Sequence, residues 1–515
     1  MQGFFITFTA SISFLPHLMA IQTAGSLWLA AHFGLSNYRI THRSYIGTRD
    51  KIELAHDSST EQTYGPKYAP KNDTVTGHIE FMLKYDDLNL DLLAAVFDRL
   101  EEQELLHYIS ESPSGRYARR IGYLYEWLTN RKLNITHEVS GNYTDLLDTD
   151  RYVTGNVIKN ARWRINDNLL GVPEFCPIIR KTQALDALLA KDIRSEIEGL
   201  KNDYSPEIFQ RATQYLYRKE TRSSYEIESE KPSPDRVDRF INILYQAGKQ
   251  PFSEVMAEQN LTTLQNAIVD PRYAQPGFRD FQNYIGQTNY RGEEIYHYVC
   301  PPPLMVDSMM KGLTATEAKT LGTPAVARAA IIAFGFVFIH PFLDGNGRIH
   351  RFLIHDMLTR DGLAEQGVII PVSAHMLQNM AEYDTVLEDY SKPLMQRVRF
   401  TISTKGDLSI DNANDVSAYF KYPDLTLQSE YLANTIFSTI QHDLLEELFF
   451  LERYDELKKE LQQLIDMPDK RLSDVIMYLH QNKGVFPNRR KKYFEEITAA
   501  EFEAMEAIYL ELFSR

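Results

Sequence analysis

The sequence predicts a mainly α protein with one short β-hairpin near its middle and helical regions on both sides. Three observations carry this reading. Apolar residues recur at helical spacing in long stretches before residue 205 and after residue 430, alternation appears only around residues 285–303, and helix start and stop residues bracket the most apolar run. A chain of 515 residues has room for several domains that need no staples, and 43% hydrophobic with 24% charged residues lies in the globular range. Shifts in composition divide it into a helical region over 1–205, a central domain over 206–400 and a helical region over 401–515.

No Asp, Glu, Lys or Arg precedes Arg39. The opening MQGFFITFTASISFLPHL lacks the basic start of a secretory signal, and Thr7, Thr9, Ser11, Ser13 and Pro16 interrupt its apolar character. It also falls short of the roughly twenty apolar residues that span a membrane. Met19 is an alternative start, which would make the preceding residues a translated extension. Helical spacing follows over Asp86 to Leu106 (Leu88, Leu92, Leu93, Val96, Phe97, Leu100) and over Tyr117 to Leu128, after a polar, turn-rich connector at Ser58 to Asn72. Ser205 and Pro206 mark the next boundary. Beyond 401 a polar stretch gives way to amphipathic helices over Leu432 to Leu451 and then Tyr454 to Ile465.

Lys and Arg number 55 against 70 Asp and Glu, a net charge of −15 that argues against a global nucleic-acid field. Two local basic stretches remain: Arg116, Arg119, Arg120, Arg131 and Lys132 around Tyr123 and Trp127, and Arg489 to Lys492. Both read as solvated helix faces, the second beside Glu495, Glu496, Glu501 and Glu503. Neither nucleic acid nor a membrane is an expected partner. Cys176 and Cys300 are too few for a disulfide framework or a four-thiolate zinc site and fit a reducing, cytoplasmic location.

The chemistry concentrates in TPAVARAAIIAFGFVFIHPFLDGNGRIHRFLIHDML, which begins at Thr323. Thr323 and Pro324 read as a cap and first helical residue. Ala325 to Ile339 is apolar almost all round, so that helix should lie at the centre of its domain. Pro341 disfavours a helical conformation at His340 and ends the helix there. A second helix is expected from about Gly347 to Leu358. Between them, Gly345 and Gly347 allow close backbone approach to an anion at a helix start. Arg348 and Arg351 share a helix face and reach phosphate oxygens by paired hydrogen bonds. Asp344 offers a hard oxygen suited to Mg²⁺, and His340 is the nearby group able to accept a proton near neutral pH.

Taken singly, each feature has an ordinary structural reading. Eight specified residues in this order recur by chance with a probability on the order of 10⁻⁸, so the conjunction reads as a nucleotidyl- or phosphoryl-transfer site. A dinucleotide-binding reading fails because His350 stands at the third glycine position, and no GxxxxGK[ST] loop is present. His350, His355 and Asp356 do not share one helix face and make a poor metal cluster.

HPFLDGNGRIHR resembles the Fic family signature, HxFx(D/E)GNGRxxR, at every specified position. The resemblance implies a Fic-type helical core and transfer of AMP from ATP to a hydroxyl of a target protein, with release of pyrophosphate. It implies His340 as the base, Asp344 as the Mg²⁺ ligand and Gly345, Asn346 and Gly347 as the phosphate-binding loop. Arg348 and Arg351 would hold the outer phosphates of ATP, and Phe342 would anchor the loop in the core. The related Doc-type kinases carry lysine in place of the second glycine, so Gly347 favours AMP transfer. Ile285 to Pro303, a hairpin by its turn residues Asn289 to Gly292, resembles the flap that aligns the target. KETRSSYEIESEKPS resembles the inhibitory helix, (S/T)xxxE(G/N), with Ser224 and Glu228 in place and Ser229 where Gly or Asn is usual.

The expected function is therefore an autoinhibited protein adenylyltransferase that uses ATP and Mg²⁺ on a target protein, itself included. Removal of AMP, with Glu228 positioning water, and a non-catalytic ATP sensor are the alternatives. The intact His340 favours the enzyme, because a sensor has no use for the base.

Overall fold

The computed structural model describes residues 21–55, 59–136, 138–365 and 367–513. The opening segment, Met19 included, lies outside the described residues. The fold is mainly helical, and the chain divides into two compact units: Met1–Thr144 with Lys159–Asn166, and Asp145–Ile158 with Asp167–Arg515.

The first unit joins a small sheet to helices. Strands β1 (Gln22–Ala24), β2 (His42–Ile46), β3 (Lys51–Leu54) and β4 (Thr60–Tyr64) lie in the order β1-β2-β4-β3, with β2 and β4 parallel. The stretch expected to be a connector thus contributes a strand. Its residues TEQTY show no apolar alternation, and the pairing partner His42–Ile46 lies well before them in the chain. Helix α1 (Gly25–His32) follows β1, and α2 (Val75–Tyr85) is capped by the Thr74 side chain. The periodic stretch from Asp86 breaks into α3 (Leu90–Arg99) and α4 (Glu102–Glu111), and α5 spans Arg116–Thr129. Arg119 and Arg120 are buried rather than solvated, and the Arg119 guanidinium donates to the carbonyls of Asn142 (2.7 Å) and Arg164 (3.2 Å).

In the second unit, the long α6 (Pro206–Glu226) starts at the expected Ser205 cap and Pro206. It is followed by α7 (Glu258–Ile268) and by the hairpin of β5 (Tyr284–Thr288) and β6 (Glu294–Val299), turned at Asn289 to Gly292 as expected. Helix α8 (Ala325–Ile339) is buried along almost its whole length and packs against α9 (Asn346–Arg360). Together they form the centre of a large apolar core. The expected capping role of Thr323 is not found: its hydroxyl donates back to the Thr320 carbonyl (2.7 Å), and Pro324 stands at the cap position. Further on, helix α10 (Thr426–Ser438) joins α11 (Leu445–Leu464) through a wide π turn at Thr439–Leu444. Residues 457–509 close a second, smaller apolar cluster around Leu461, Val475, Phe486 and Phe502.

No helix among the described residues is long and apolar enough to cross a membrane. Both cysteines are buried and unpaired.

Candidate active site

Helix α8 ends at His340, whose N–H still donates to the Phe336 carbonyl (2.9 Å) while its own backbone turns left-handed (φ +53°). Histidine tolerates this region better than most residues. The ring is half-buried, and its Nδ1 lies 3.1 Å from the Val337 carbonyl. A carbonyl only accepts, so Nδ1 carries the proton and Nε2 keeps the lone pair. Burial is the main cause that pulls the imidazole pKa down to about 4, with Arg279 adding to the effect and Asp344 opposing it. The ring is neutral at pH 7.

The turn after His340 is built by Phe342 and Asn346. Phe342 is fully buried, edge-on to Phe278. The Asn346 amide brackets its backbone, accepting from Phe342 N (3.0 Å) and donating to Phe342 O (2.8 Å). The Asn346 side chain therefore shapes the loop, and what it offers an anion is its main-chain N–H. Gly345 is left-handed (φ +88°) at the start of α9, and a Cβ there would come within 2.8 Å of Val269. From below, the Gln265 amide donates to the Asp344 carbonyl (3.2 Å).

Arg348 and Arg351 project from α9 and are 1% exposed. Arg351 donates through Nε to the Ser224 hydroxyl (2.7 Å), and through a terminal nitrogen to the Ser224 carbonyl (2.7 Å) and Glu228 Oε1 (2.8 Å). Arg348 lies 2.8 Å from Glu228 Oε2 through Nε, donates to Asp344 Oδ1 (2.7 Å) and pairs with Glu230. Both arginines are thus occupied by carboxylates. Gly347 makes room for this contact, since a Cβ there would lie 2.3 Å from Glu228 Oε1.

Ser229 resolves the departure noted in the sequence. It adopts the left-handed conformation itself (φ +56°), and the turn closes with Glu230 N donating to the Tyr225 carbonyl (3.1 Å). Gly would adopt this conformation without the steric cost, of order 1–2 kcal/mol, that a side chain brings. His350 and His355 go to different places: His350 packs against Phe334, while His355 pairs with the buried Glu220 of α6 (2.7 Å). Among the described residues no group of three or more His, Cys, Asp or Glu is placed to hold a metal ion.

Sequence reasoning missed Glu230, Gln265 and Arg279. Glu230 was the most accessible of these, because the turn at Ser229 brings a carboxylate two residues beyond Glu228 back toward the same arginines.

Residues 256–358 match the Fic/DOC family. A probable protein adenylyltransferase of Aquifex aeolicus is 23% identical over 209 residues, covering 34% of this chain and 63% of that protein. Protein adenylyltransferase fic-1 of Caenorhabditis elegans is 31% identical over 109 residues, 19% of this chain and 21% of that protein. The chain therefore matches less than two thirds of the length of either relative. Among solved structures, a Fic family protein from Desulfovibrio desulfuricans covers 59% of this chain and 88% of its own at 17% identity and a TM-score of 0.36. A Fic domain containing signaling protein from Bacteroides thetaiotaomicron covers 50% and 96% at 17% identity and a TM-score of 0.32. The stretch that matches the Fic/DOC family, residues 256–358, spans the buried helix pair and the loop between them.

Proposed function

We propose that the chain is a protein adenylyltransferase that moves AMP from ATP to a hydroxyl of a target protein and is held back by Glu228. The observation that carries this is the convergence of a neutral imidazole at His340 with the glycine loop and two buried arginines at the start of α9. Its working segment is 206–400, flanked by 1–205 and 401–515. In the reaction, Nε2 of His340 takes the proton of the target hydroxyl as its oxygen bonds to the α-phosphorus, and pyrophosphate leaves with the bonding electrons. The main-chain N–H groups of Asn346 and Gly347 meet the phosphates at the helix start, while Gly345 lets the backbone approach closely and its own N–H holds the Asp344 carboxylate. Arg348 and Arg351 grip the outer phosphates once the carboxylates of Glu228 and Glu230 give way.

Asp344 is the residue that would hold Mg²⁺. Both hydrogen bonds to its carboxylate use Oδ1, from Gly345 N and Arg348, which leaves Oδ2 for a hard cation that keeps most of its waters. When bound, the metal would neutralise phosphate charge. The relatives named as protein adenylyltransferases support ATP as the donor and a protein as the acceptor. The unpaired Cys176 and Cys300 accord with action in the cytoplasm.

The test is His340→Ala. It should lower AMP transfer at least ~10²-fold, as expected for a general base, while ATP still binds. Equal adduct yield from the variant would remove His340 from the mechanism.

A further inference from the structure

Arg279 is 3% exposed, yet no carboxylate pairs with it among the described residues. Its hydrogen bonds all go to main-chain carbonyls. Nε donates to His340 O (2.8 Å), one terminal nitrogen to Pro301 O (2.7 Å) and Ile339 O (3.3 Å), and the other to Phe281 O (3.0 Å). Its own backbone N–H donates to Pro341 O (2.8 Å). One residue thus takes the carbonyls of 339, 340 and 341 in succession.

These carbonyls lie at the end of α8, where the last groups of a helix lack intrahelical donors and a cation is favoured by the helix dipole. Counter-charge is missing on the other sides as well. Cys300, next to Pro301, is buried with its thiol pushed up to about 12 and stays neutral, burial also holds the Tyr298 phenol neutral, and the Asp344 carboxylate is engaged by Arg348. A buried, unneutralised guanidinium is expensive to keep. Its cost is offset by four carbonyls, two of which, those of Ile339 and His340, belong to the left-handed turn at His340, while the Arg279 main-chain N–H holds the third carbonyl of that turn, Pro341 O.

We infer that Arg279 is a positioning residue of the transfer reaction, fixing the main chain of His340 in the turn that presents the imidazole and tying that turn, through Pro301, to the exit of the hairpin. The inference rests on the reading of His340 as the base. Arg279 does not touch the nucleotide loop through any of these bonds, so its loss acts on the base and not on ATP.

The experiment uses the full chain carrying Glu228→Gly, with AMP incorporation followed from α-labelled ATP. Arg279→Met should lower transfer by ~10²-fold, the size expected of a misplaced reacting group, with ATP affinity unchanged. Arg279→Lys, which keeps the charge but not the fork, should fall between. In the Arg279→Met/His340→Ala chain the loss should equal that of His340→Ala alone. Losses that multiply, or ATP affinity that falls in parallel, overturn the role of Arg279. Transfer undiminished in His340→Ala alone instead overturns the base reading. A crystal structure supplies a readout independent of activity: residue 340 should leave the left-handed region in Arg279→Met, or in Arg279→Lys if the first variant does not fold. A backbone φ still near +53° overturns the proposal.

Discussion

His340 keeps its ring neutral far into the acid range because burial disfavours the imidazolium, bringing the pKa to about 4. The proposed base is the neutral form, so protonation would switch it off only as pH approaches 4. Single-turnover AMP transfer by the Glu228→Gly chain should therefore be flat between pH 5 and 8 on this group's account. An acid limb centred near 6.5, where an unperturbed histidine titrates, would show that the ring is more solvated than the structure has it. At this scale the site was largely legible in the sequence, because His340, Asp344, the glycines and both arginines lie within twelve consecutive residues. Arg279 and Gln265 were not legible, since they reach the turn at His340 and the loop after it from distant positions and act on main-chain carbonyls that no side-chain pattern announces.

At the scale of elements, the end of α6 and the start of α9 hold each other through charge. Glu228 bridges Arg348 and Arg351, Ser224 adds a hydroxyl and a carbonyl, and Glu230 returns to Arg348. Glu228→Gly should raise AMP incorporation strongly, because Arg351 loses its carboxylate and becomes available to phosphate. Glu226→Gly, at an exposed position two residues before Glu228, should leave incorporation at the starting level. If the two variants behave alike, Glu228 is a structural residue and not an inhibitor. The helices themselves were readable from apolar spacing and from caps such as Ser205. The cap at Thr323 was misread because the helix begins one residue later, with Pro324 at the cap position, and the Thr323 hydroxyl donates to the Thr320 carbonyl. The sheet of the first unit escaped notice because its strands are short and polar and pair out of chain order.

Over the whole molecule, buried carboxyls and buried imidazoles respond to acid with opposite signs. In the first unit, Asp86 accepts from Ser26 N (2.6 Å) and the Ser44 hydroxyl (2.5 Å), and burial raises its pKa to about 7. Its folded value lies above the unfolded one, so it costs stability progressively as pH rises from about 4 to 7. Asp86→Asn should remove this slope, read as the difference in urea midpoint between variant and parent at pH 5 and pH 7. A constant difference would mean that Asp86 ionises freely. For two buried histidines of the second unit the sign is the opposite. His340 and His350, held down to about 4 and about 3 by burial, cost stability as pH falls below the unfolded histidine value.

The central claim is transfer of the α-phosphoryl with its nucleoside to a protein hydroxyl, from a site that Glu228 restrains. The most direct measurement incubates the purified Glu228→Gly chain and cell lysate with ATP labelled at either the α- or the γ-phosphate, and identifies the adduct by mass spectrometry. Label from the α position, carried as AMP on a Ser, Thr or Tyr and lost in the Glu228→Gly/His340→Ala chain, is the predicted result. Label from the γ position, or an adduct that survives loss of His340, would contradict it.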